Sequence, residues 1–100
     1  MTKIKKYVAH IDDELAGAKE YAERALEYKA AGDQERYARY KAMANDELTH
    51  AAIVHDFAVQ DIEKLKSVYP DIPSKMTEAW DASHRDFVER TAWIKQMLAM

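Results

Sequence analysis

Lys29-Ala30-Ala31-Gly32-Asp33-Gln34-Glu35 is the stretch on which the fold turns. Glycine tolerates the left-handed backbone that follows a helix C-terminus, and an aspartate just after it can accept hydrogen bonds from the orphan N–H groups opening a new helix. Upstream, Ile4, Val8, Ile11, Leu15, Ala18, Ala22 and Ala25 recur every three or four residues and form one helical seam. Downstream, Tyr37, Tyr40, Met43, Ala44, Ala51, Val54, Phe57, Ala58, Ile62 and Leu65 form another. So short a connection forces the two helices antiparallel, and positions whose numbers sum to about 64 or 65 then lie at the same height.

The second punctuation is Tyr69-Pro70-Asp71-Ile72-Pro73-Ser74, with Pro73 suited to a helix start, where its missing N–H does no harm. A third helix follows, with Met76, Ala79, Trp80, Ser83, Phe87, Thr91, Ile94 and Leu98 on one face and Trp93 and Met97 beside it. The expectation is an all-α single domain over residues 1–100, with helices at about 3–31, 34–68 and 74–98. Helices of roughly 40 to 50 Å are too extended for a three-helix monomer to cover well, so a homo-oligomer is expected. Between Ala51 and Val59 the second helix is apolar nearly all round, which calls for the third helix or another chain against it.

Composition narrows the chemistry. Hydrophobic residues make up 48% and charged ones 33%, outside the regime of disorder, and no long uncharged apolar run spans a membrane. A net charge of −3 supplies no positive field for nucleic acid or an anionic membrane. Without cysteine, thiolate metal sites, disulfides and thiol nucleophiles are excluded, so any metal must be held by His, Asp or Glu. No nucleotide loop, Ser/His/Asp arrangement or phosphate cradle occurs. The basic Met1–Lys6 segment is followed by His10, Asp12, Asp13 and Glu14 instead of a signal-peptide core, so the expected compartment is the cytoplasm.

Polar residues inside the apolar stripes carry the functional information. Glu47-Leu48-Thr49-His50 places a carboxylate and an imidazole one turn apart on the inward face of the second helix, from which both can converge on one metal ion. Glu14, at the edge of the first seam, faces about position 50 under the antiparallel sum. Glu14, Glu47 and His50 are therefore candidate metal ligands. The competing reading is a polar core layer in which Glu14 reaches solvent and His50 hydrogen-bonds a tyrosine or a glutamate. Two unpaired buried carboxylates are costly, which favours a cation or protonation.

These residues resemble the ferritin-like superfamily, in particular the rubrerythrin type of helix pair: Glu14, Tyr21 seven residues on, Gly32, then Glu47-x-x-His50-Ala51. The resemblance covers about residues 8 to 60. It implies Glu14 and His50 as terminal ligands of iron, Glu47 as a carboxylate bridging two irons, and Tyr21 as a hydrogen-bond partner behind them. Full-length members carry a second helix pair with its own ligands, which this chain lacks. What remains resembles the encapsulated ferritins, in which two chains complete one four-helix bundle around iron. Two copies would bring together four Glu and two His, and four carboxylate charges balance two Fe²⁺ ions. The resemblance thus implies a di-iron, or dimanganese, ferroxidase-type centre completed across a homodimer, with two Fe per dimer and dioxygen or peroxide as oxidant. The segment Ile94–Met100 reads as helix without an added shell-addressing tail, and the absence of cysteine removes the rubredoxin-like donor of true rubrerythrins. The alternative function is a metal-free helical bundle acting as a self-association or partner-binding module.

Other polar residues receive structural readings. Asp81-x-x-His84 repeats the carboxylate–histidine spacing, but Asp81 points off the Trp80–Phe87 seam, so His84 is expected as a hydrogen-bonded core histidine. His10 and His55 are expected to be solvated or to sit behind the ligands. Tyr7, Tyr21, Tyr28, Tyr37 and Tyr40 are expected to pack along the hairpin.

Overall fold

The computed structural model describes residues 2–71 and 74–100; the placements of Pro73 at a helix start and of the Met76 side chain on the apolar face lie outside the described residues. Three helices are present, α1 (Thr2–Ala30), α2 (Gln34–Val68) and α3 (Ser74–Leu98), and no strand occurs among the described residues. The first helix begins and ends one residue earlier than expected. Its end is set by Gly32 at φ 79°, which lets the Gly32 and Asp33 N–H groups donate back to the Lys29 and Tyr28 carbonyls at 3.1 and 2.9 Å. Asp33 caps α2, accepting from the Arg36 N–H at 3.0 Å and from Arg36 Nη1 at 2.7 Å. The carboxyl of Asp33 is accordingly held below its ordinary range, first by that backbone N–H and then by the guanidinium.

The hairpin register follows from this turn. Lys3 pairs with Asp61 at 3.0 Å, and the Tyr28 and Tyr40 rings stack 5.4 Å apart at the other end. Ile11, Leu15, Ala18, Ala22 and Ala25 of α1 are essentially inaccessible, as are Ala44, Ala51 and Ala58 of α2. The alanines let the two backbones approach, while Ile11 and Leu15 supply the apolar bulk.

The third helix runs parallel to α1 and antiparallel to α2. Arg90 reaches Asp12 at 2.9 Å, Lys29 Nζ donates to the Met100 carbonyl, and Ile94, Met97 and Leu98 are buried. Near the other end Trp80 is buried, its ring centroid 5.2 Å from that of His55 on α2. The whole is a rod of 57 × 17 × 16 Å. No helix among the described residues is long and apolar enough to cross a membrane.

At about 100° per residue, the α1 residues Asp12 and Lys19 lie on one side of the seam and His10, Glu14, Gly17 and Tyr21 on the other. Arg90 of α3 engages the Asp12 side. On α2, His55 and Leu48 face α3, whereas Met43, Glu47, His50 and Phe57 lie on the opposite side. One broad face of the hairpin is therefore left uncovered. Met43, Ile53 and Phe57, expected to lie against the third helix or another chain, are 40%, 46% and 49% exposed there within one chain, because a single 25-residue helix covers only one side of α2. On α3 itself Trp93 and Val88 also remain exposed.

Candidate metal centre

Glu14 comes from the middle of α1, and Glu47 and His50 from the middle of α2, three residues apart on the same side. Each offers one ligand atom, and the three atoms lie within 4.8 Å of one another. His50 Nδ1 is 3.5 Å from Glu14 Oε2 and 3.9 Å from Glu47 Oε1. The two carboxylates are largely shielded, with side chains 18% and 25% exposed, while the His50 ring is 53% exposed. The cluster thus opens on the hairpin face that α3 does not cover.

Gly17 shapes the inner wall. A Cβ at this position would meet Glu47 Oε2 at 3.3 Å and its Cδ at 3.7 Å. Glycine inside a helix costs roughly 0.5–1 kcal/mol relative to alanine, so its position beside a carboxylate is the packing reason for a residue otherwise unfavourable there. Glu47 can lie against the α1 backbone because no side chain intervenes.

The two carboxylates perturb each other in opposite directions. Their mutual hydrogen bond holds Glu14 below the ordinary carboxyl range, helped by His10 and His50, whereas the same bond, burial and the Glu14 charge push Glu47 up. Glu47 is thus the carboxyl of the pair that holds its proton more tightly, and Glu14 the one that gives it up more readily. Two carboxylates so close cannot both stay ionised without a nearby positive charge.

The donor set fits a divalent ion of moderate hardness. Two carboxylates and one imidazole suit Fe²⁺, Mn²⁺ or Zn²⁺, and the set contains no soft thiolate or thioether that would select Cu(I). Three donors from one chain fall short of the six that octahedral ions take.

The remaining candidates are placed as follows. Tyr21 is half-buried, its ring 6.1 Å from Tyr40, and makes no hydrogen bond to Glu14, Glu47 or His50 among the described residues. His10 lies one turn before Glu14, with Nε2 3.1 Å from Glu14 Oε1. His55 departs from expectation: it is only 9% exposed, stacks on Phe87 at 4.3 Å, and its Nε2 is 2.8 Å from His84 Nδ1. Its position five residues after His50 turns it to the α3 side, away from the candidate ligands. His84 is hydrogen-bonded as expected but is exposed and not the core histidine the sequence suggested, because it sits at the edge of the α2–α3 contact, and Asp81 is exposed. Sequence reasoning passed over Gly17 as a site residue; the available signal was a lone glycine three positions after Glu14 in an otherwise unbroken helix.

Comparison with protein-family models, curated proteins and solved structures finds no match to this chain.

Proposed function

We propose that this chain is a dimetal carboxylate protein that oxidises ferrous iron, with the centre completed across a homodimer in the manner of a ferritin-like four-helix bundle. The observation that carries the reading is the convergence of Glu14, Glu47 and His50 within 4.8 Å, from two helices, on an open face. A second copy docked on that face about a two-fold axis supplies the same three donors again, for four carboxylates and two imidazoles. Met43, Ile53 and Phe57, exposed on the same side, are the apolar surface such a partner would cover.

When bound, a pair of iron or manganese ions supplies the one-electron steps that carry electrons from Fe²⁺ to dioxygen or peroxide. The residues hold the ions and balance their charge. Glu14 and His50 would hold the ions as terminal ligands, and Glu47, lying against the gap at Gly17, would be the carboxylate shared between them once deprotonated. The expected compartment is the cytoplasm, where a reducing environment keeps iron ferrous.

A second reading is a metal-free bundle in which the Glu14–Glu47–His50 layer sets the register of self-association. The upward shift of Glu47 favours it, since a proton retained there compensates the acid pair without a cation. Elemental analysis separates the two. Protein from iron-supplemented culture is expected to carry stoichiometric iron and to melt higher with added Fe²⁺, and Glu47→Ala to lose both properties while staying helical. Absence of stoichiometric iron together with an unmoved melting temperature leaves the metal-free bundle.

A further inference from the structure

The carboxylate of Glu14 does two jobs with its two oxygens. Oε2 faces His50 Nδ1 at 3.5 Å, inside the cluster, while Oε1 is 3.1 Å from His10 Nε2, outside it. An ionised carboxylate is only an acceptor, so His10 Nε2 carries the proton and donates, and its Nδ1 is left for water. The His10 side chain is itself 54% exposed.

We infer that His10 is a positioning residue which engages the outer oxygen of Glu14 and so turns the inner one toward the metal, making the centre selective for small transition-metal ions over Ca²⁺. This rests on the metal-binding reading above. A carboxylate with one oxygen engaged by an N–H donor presents a single oxygen to an ion. Ca²⁺ takes six to eight oxygens and commonly draws on bidentate carboxylates, whereas Fe²⁺, Mn²⁺ and Co²⁺ accept fewer donors and value imidazole nitrogen. Residues one layer behind the ligands orient them in this way in metal sites generally, and losing one costs about 10–100-fold in affinity. The i, i+4 spacing on α1 makes the arrangement local and independent of dimerisation.

Co²⁺ is the probe of choice, because its visible absorption reports the nitrogen and oxygen donors around it without any turnover. The test titrates the full chain with Co²⁺ and with Ca²⁺, comparing wild type, His10→Ala, His10→Gln and Glu47→Ala, with circular dichroism as the check on folding. His10→Ala is expected to weaken Co²⁺ binding about tenfold and to shift its absorption band, while Ca²⁺ binding holds or improves. His10→Gln, whose amide can still donate to Glu14 Oε1, is expected to recover most of the loss. Wild-type Co²⁺ affinity in both His10 variants, with Glu47→Ala abolishing it, overturns the role of His10 and leaves the site intact. Equal Co²⁺ binding by wild type and Glu47→Ala overturns the metal-binding reading itself. Equal losses in His10→Ala and His10→Gln, without a change in Co²⁺/Ca²⁺ preference, also overturn the inference.

Discussion

Gly17 on α1 faces Glu47 on α2 so closely that a methyl group on the glycine would come 3.3 Å from the carboxylate oxygen. The contact ties a backbone feature of one helix to a candidate ligand of the other. Glycine there costs the helix a little stability and lets Glu47 lie against its backbone.

Gly17→Ala therefore separates stability from binding. Alanine gains about 0.5–1 kcal/mol of helix propensity, and the flexible Glu47 side chain can yield the few tenths of an ångström required. The expected result is a melting temperature raised by about 2–6 °C in the metal-free protein, with Co²⁺ affinity reduced about tenfold because Glu47 is displaced. Thermal unfolding and Co²⁺ titration of the same variant check it. Unchanged affinity would mean that the gap at Gly17 does not serve Glu47.

The buried His55 makes the metal-free fold sensitive to acid. Desolvation, and then the neighbouring His84, hold its pKa below the ordinary 6.5, while Asp56 on α2 works weakly the other way. The unfolded chain therefore binds more protons than the native one below about pH 6.5, and stability falls as pH drops through that point toward the lowered native value. Glu47, raised in the native state, acts with the opposite sign as pH falls toward 4.5, so the histidine contribution must be isolated. His55→Phe does this, placing a neutral ring among Trp80, His84 and Phe87. Denaturant unfolding followed by tryptophan fluorescence at pH 7 and pH 5 is expected to show a smaller loss of stability in the variant than in the wild type.

Association through the uncovered hairpin face makes a third prediction. Phe57 is half-exposed and lies on the side of α2 away from α3, so Phe57→Glu alters that surface without opening the core. Light scattering is expected to give a dimer or larger species for the wild type and a monomer for the variant, with equal helicity by circular dichroism. A variant that remains dimeric would move the interface elsewhere, with the exposed Trp93 and Val88 of α3 the next surface to alter.

Much of this architecture was legible in one dimension because helices impose a local code. Gly32 and Asp33 mark a turn through backbone conformation and capping, both properties of neighbouring residues. A turn that short leaves only one antiparallel register, and so the pairing of Glu14 with Glu47 and His50 could be read from their numbers. His55 was misread because the stripe on α2 shows that a face is apolar, not which neighbour covers it; Phe87 and Trp80 arrive from a helix about 30 residues away.

By itself, then, the order of residues determined three helices, the hairpin register and the cluster of two carboxylates with one imidazole, since each depends on spacing along a helix or across a tight turn. Only the tertiary structure decided which side of the hairpin α3 occupies. That choice buried His55 against His84, left Met43, Ile53 and Phe57 open beside His50, and showed Gly17 making room for Glu47. The physical reason is that the azimuth at which a third helix packs depends on interdigitation of side chains distant in sequence, and periodicity along one helix carries no record of it.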